Sequence, residues 1–167
     1  MKKTVVMQIS SLCLLLSIVS ACGFQLRGQL PRLDHLPSPW QIQGLPVFSA
    51  LYQDIQRQLN QAGVQVVRTE GQRHLIISEF RTNSRLFSVD ANNASVETEL
   101  AMSFQFVLRD PTQDKPLKST LLRTTRIIYQ PQAERLSSDR EADQIRATMQ
   151  RELVTRMMLM LAAPVQT

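Results

Sequence analysis

The chain has 167 residues, of which 43% are hydrophobic and 20% charged, with a formal net charge of +5. That length carries one domain with its own core, and the apolar fraction excludes an intrinsically disordered chain. Lys2 and Lys3 supply two of the positive charges; without them the net charge is +3, too small to mark a nucleic-acid binder.

Residues 1–21 have the three parts of a secretory signal: the basic pair Lys2 and Lys3, an apolar stretch from Val5 to Val19, and the small residues Ser20 and Ala21. The alternative is an uncleaved anchor helix, but the run is short for a span, which needs about 20 apolar residues. Cys13 lies inside the signal and would leave with it, and Cys22 would then be the first residue of the mature chain. A disulfide or a thiolate metal site has no second cysteine to use. Val19-Ser20-Ala21-Cys22 instead fits the bacterial lipobox, in which small residues let the peptidase accept an extended backbone beside a lipid-modified thiol. The covalent lipid on Cys22 is the only attached group expected; no cofactor and no metal are. Gly23 stands where Asp commonly marks retention in the inner membrane, which implies export to the outer membrane, with the domain in the periplasm by default.

Residues 22–39 read as a lipidated tether, punctuated by Pro31, Pro37 and Pro39. Phe24 and Leu26 leave open a second reading, an arm that docks on the domain. The domain proper is expected over 40–167, with Trp40-Gln41-Ile42-Gln43 as a candidate first strand. In PVFSALYQDIQRQLNQAG, residues Phe48, Leu51, Tyr52, Ile55, Leu59 and Ala62 recur at helical spacing. Pro46 suits the first turn of that helix and Gly63 the position just past its end. The polar face is Gln-rich with a single Arg, which disfavours a membrane-surface helix.

Val64–Arg68 and His74–Phe80 read as strands around a Glu70-Gly71 turn, with strand character continuing to Val89. DANNAS is a turn, since Asp and Asn tolerate left-handed backbone. After it Val96, Thr98, Leu100, Met102, Phe104, Phe106 and Leu108 alternate with polar or small residues, as in an antiparallel strand buried on one face. RDPTQDKP turns the chain into a strand from Leu117 to Tyr129. Both faces of that strand mix apolar and basic groups, so it is either covered by another molecule or an edge guarded by charge. Ser138-Asp139-Arg140-Glu141 reads as a capping box opening a final helix with the stripe Ala142, Ile145, Met149, Leu153, Met157 and Met160 or Leu161, stopped by Pro164. Its methionines suit core packing, with a binding groove as the alternative. Together these elements predict an α+β two-layer sandwich: two amphipathic helices on one face of a roughly four-stranded mixed sheet.

Catalytic motifs are missing. There is no Gly-rich phosphate loop, no GxSxG and no HExxH, and His35 and His74 are the only histidines. Glu97 and Glu99 share the polar face of one strand without a His or further acid beside them, so a solvated face is favoured over paired catalytic acids. The expected role is non-enzymatic.

Cys22, Gly23, Phe24, Leu26 and Arg27 in ACGFQLRG, followed by tether, helix, strand meander and C-terminal helix, resemble the LptE (RlpB) family of lipopolysaccharide (LPS)-assembly lipoproteins. NASVETELAMSFQFVL takes the place of that family's central strand. The resemblance implies an outer-membrane partner, an LptD-like β-barrel whose lumen the lipoprotein plugs and whose assembly it helps, and contact with LPS during insertion into the outer leaflet. It places the LPS contacts on basic residues near the central hairpin and the following strand. DANNAS has no Lys or Arg, so the nearest candidates are Arg81, Arg85, Lys118, Arg123 and Arg126. The alternatives are a periplasmic lipoprotein acting on envelope glycans through Glu97 and Glu99, or one binding an anionic ligand.

Overall fold

The computed structural model describes residues 31–89, 95–129 and 135–164. The signal, Cys22 and the start of the tether lie outside them, as do residues 90–94 of DANNAS. Seven elements follow in order: β1 (Trp40–Gln43), α1 (Ala50–Gln61), β2 (Val66–Val67), β3 (Arg73–Val89), β4 (Ser95–Arg109), β5 (Lys118–Tyr129) and α2 (Arg135–Ala162). They form the predicted α+β two-layer sandwich. The sheet has five strands in the order β2-β1-β3-β4-β5, because the stretch expected at Val64–Arg68 contributes a two-residue strand. It is mixed: β1 runs parallel to β2 and β3, whereas β3, β4 and β5 form an antiparallel meander.

The core lies between one sheet face and the two helices. Leu100, Met102, Phe104, Phe106 and Leu108 of β4 are buried on that face, as the alternation predicts. They join Leu51, Ile55 and Leu59 of α1 and Met149, Leu153 and Met157 of α2 in one cluster. Three of the four α2 methionines are therefore core residues; Met160 is exposed. Leu122, Thr124 and Ile128 settle the faces of β5, since they are buried while Leu121, Arg123, Thr125 and Ile127 are exposed. As the last strand in the order, β5 is an edge.

Two helix starts differ from the sequence reading. Phe48 is 89% exposed rather than on the buried face of α1. Ser49 caps the helix, its hydroxyl accepting from the Tyr52 amide at 3.2 Å, so Phe48 precedes the first helical residue. Pro46 also lies before the helix, in a turn where its carbonyl accepts from the Ser49 amide. The expected stop holds: Gly63 follows the C-cap Ala62 with φ +89°, a conformation glycine adopts without strain. In α2 the chain is already helical at Arg135, three residues before Ser138, so the expected capping box is internal. Once a long helix exists, adding residues such as Arg and Leu at its end costs little. Asp54 and Gln58, which the apolar pattern passes over, are buried on α1, and Asp54 is paired with Arg57.

Within the tether stretch, Leu33 is buried, and its amide donates to the Ala62 carbonyl at 2.8 Å. The chain thus meets the domain where α1 ends. Gly44 follows β1 with φ +85°, and a Cβ there would lie 2.0 Å from the Ile77 carbonyl oxygen, so only glycine permits this close pass of β1 by β3.

An uncovered sheet face and its arginines

Among the described residues no helix covers the sheet's second face. Its character is set by a bulge in β3. From His74 to Ser78 the strand pairs with β4 in one register; from Arg81 onward it is shifted by one residue. Glu79 and Phe80 are the bulged pair, and Glu79 has φ +53°. A one-residue shift turns every later side chain to the other face. In the first register Arg81 would oppose buried Met102. In the observed one it opposes Ser103, which in turn opposes Arg123 of β5. Arg81, Ser103 and Arg123 thus make a row across three strands on the uncovered face. Two strand spacings separate the arginine backbones by about 9.5 Å.

The five basic candidates fall into separate settings. The Arg85 guanidinium donates to both oxygens of Glu99, at 2.9 and 3.0 Å. That bidentate bond holds the Glu99 carboxyl below its usual range, with the charges of Arg85 and Arg123 adding to it. Arg126 is on the helix side, donating to Glu152 of α2 at 2.6 Å, and Glu152 also pairs with Arg156. Lys118 caps α2: its ammonium donates to the carbonyls of Met160 at 2.6 Å and Leu161 at 3.0 Å, and to that of Ala163. Its pKa is lowered by burial. Among the described residues Arg81 has only a distant carboxylate, Glu79 at 3.9 Å. Arg123 makes no ion pair among the described residues. The sequence identifies all five charges; it carries no signal for which are neutralised.

Glu97 accepts from the Ser88 hydroxyl at 2.8 Å, and Glu99 is engaged by Arg85. The Arg85 bond keeps Glu99 in its ionised form. Among the described residues no group of three or more His, Cys, Asp or Glu is arranged to hold a metal ion.

Two expected outcomes follow from the end of the sheet where both helices finish. Lys118→Met leaves the last carbonyls of α2 without their cation and should cost about 1–2 kcal/mol, measured as a lower urea midpoint at unchanged slope. At the β4–β5 turn Asp110 accepts from the Thr112 hydroxyl at 2.6 Å and amide at 3.0 Å, and pairs with Arg73. These bonds, the Thr112 ones foremost, pull its pKa down to about 2. A depressed carboxylate pKa adds stability above the unfolded-state value and loses it as pH falls through the folded one. Asp110→Asn should therefore be less stable than the parent at pH 7, with the gap closing between about pH 4 and pH 2 in urea titrations.

The comparisons decide the family. Over residues 41–161 the chain matches the family described as LptE, Lipopolysaccharide-assembly. The chain belongs to the LptE family. The membership bears out the resemblance carried by the N-terminal motif and the element order. Solved structures share the fold. Rare lipoprotein B from Shewanella oneidensis is 14% identical with a TM-score of 0.65, covering 74% of this chain and 92% of that one. Lipoprotein B from Nitrosomonas europaea is 23% identical with a TM-score of 0.62, covering 81% and 88%. A minor lipoprotein from Acinetobacter baumannii is 15% identical with a TM-score of 0.61, covering 74% and 90%. No curated protein sequence matches the chain.

Proposed function

We propose that this LptE-family chain is anchored in the outer membrane by lipid on Cys22, fills and helps assemble an LptD-like β-barrel, and takes part in inserting LPS into the outer leaflet. The observation that carries the reading is the uncovered sheet face, a broad surface of polar and charged side chains with Leu121 and Ile127 exposed among them, on a chain that matches a lipopolysaccharide-assembly family. The lumen of a large outer-membrane barrel is polar, and a domain that fills it needs a hydrophilic surface. Gln53, Gln56, Asn60 and Gln61 on the outside of α1 supply the same character on the opposite layer. Arg81 and Arg123 are the proposed LPS contacts, because guanidinium groups bind phosphate in bidentate fashion and lipid A carries phosphates. Lys118 and Arg126 are left out of that proposal, being committed to α2, and Arg85 is committed to Glu99.

Affinity purification of the tagged chain from detergent-solubilised outer membrane tests the partner. A heat-modifiable β-barrel should co-purify in stoichiometric amount. Its absence would reject the plug, and retained LPS binding in that case would favour a free-standing binder of anionic ligands through the same two arginines.

A further inference from the structure

A groove of about 510 Å³ opens where β5 begins and α2 ends, lined by Phe106, Leu117, Thr120, Met160 and Pro164 with Lys118. Leu159 and Met160, in the last turn of α2, are 55% and 40% exposed. Met160 is a large apolar side chain at the lip of this open groove. We propose that the groove is the seat of the chain's own N-terminal arm, Gly23–Leu30, with Phe24 and Leu26 entering it. The inference concerns the chain itself and does not depend on a barrel or on LPS.

Three observations support this occupant. The first is where the described chain begins. Leu33 is bonded to Ala62 at the end of α1, and α2 ends at the same end of the sheet, where Lys118 of β5 holds it. The helices are in contact, and packed helices lie about 8–10 Å apart. Eight residues span up to about 27 Å when extended, so the arm can pass beneath the end of α2 and reach the groove. The second is composition. Phe24, Leu26 and Leu30 alternate with Gln25, Arg27 and Gln29, which gives one apolar side to bury and one polar side to leave in water. The third is charge. Neither helix has a basic residue in its last turn, and helix C-termini carry partial negative charge. Arg27 would cross both ends, adding a second cation to the one Lys118 supplies.

Docking there would also fix where the lipid leaves the domain. Cys22 would emerge beside the β4–β5 turn, two residues from a seated Phe24, so that end of the sheet would be held against the membrane.

The test is a cysteine pair in the full chain expressed in the envelope. Phe24→Cys with Met160→Cys should form a disulfide, seen by non-reducing electrophoresis and by mass of the linked peptides. Phe24→Cys with Phe48→Cys, at the other end of α1, should not. The single variant Met160→Cys controls for linkage through Cys22. Equal linkage to both positions, or none to Met160→Cys, overturns the proposal. A second measurement follows the thiol-labelling rate of Met160→Cys alone. With the arm altered by Phe24→Asp and Leu26→Asp, labelling should speed up at least about tenfold in detergent as well as in membranes. If instead labelling is slow in membranes, fast in detergent and indifferent to the arm, the membrane surface covers the groove and the arm does not.

Discussion

Cys22→Ser should abolish incorporation of labelled palmitate and keep the chain out of the outer membrane, held at the inner membrane by its uncleaved residues 1–21. The nucleophile for thioether formation is a thiolate, and a serine hydroxyl does not replace it. Acyl chains contribute about 0.8 kcal/mol per buried methylene, and a single myristoyl chain gives only reversible binding with a constant of about 10⁴ M⁻¹. The several chains of a bacterial lipoprotein therefore hold it for good, and losing them all removes the outer-membrane anchor. Mass spectrometry supplies the finer readout. The parent chain should begin at a modified Cys22, and the variant should retain residues 1–21, because the peptidase acts on the modified cysteine. A parent chain that keeps residues 1–21 and carries no lipid would instead establish the anchor-helix alternative. Among the described residues no helix is long and apolar enough to cross a membrane.

What the sequence shows and what it conceals divide along a physical line. Period-2 alternation in β4 is strong because one face meets helices and the other does not, so Leu100 to Leu108 could be read directly. The faces of β5 could not, because an edge strand tolerates Leu121 and Ile127 on its open side while Thr124 is buried on the other. The stripe of α1 was legible from Leu51 to Ala62, but Phe48 has the right phase and the wrong place, since a serine cap and not periodicity decides where a helix begins. The site was legible only as a set of charges. Which arginines stand side by side depends on pairing between residues far apart in the chain, and on a bulge at Glu79, a residue type that does not announce a left-handed backbone. Partners such as Glu99 for Arg85 and Glu152 for Arg126 are likewise products of register and of helix packing.

Reversing Arg81 and Arg123 together, each to Glu, should weaken LPS binding by about two orders of magnitude. A hydrogen bond to a charged group is worth about 1.5–3 kcal/mol, and two at the lower figure amount to that factor. The parent's binding should also fall with added salt and the variant's should not, because exposed charges are screened. Arg126→Glu serves as the contrast: it breaks the link to Glu152 and should lower stability while leaving LPS affinity nearly unchanged. Equal binding by the double variant and the parent would remove both arginines from the proposed site. The bulge gives a second version of the same test, since it can be changed while the charge and the pairing of Arg81 are kept. Glu79→Gly keeps the extra residue and suits φ +53°, so binding should persist. Deleting Glu79 leaves Phe80 alone opposite Phe104 and keeps Arg81 opposite Ser103 in an unbroken ladder. Binding should therefore persist in the deletion variant as well, because the row across the three strands survives the loss of the bulge. A deletion variant that folds but binds as weakly as the double reversal would mean that recognition does not rest on that row, since Arg81, Ser103 and Arg123 would still stand side by side.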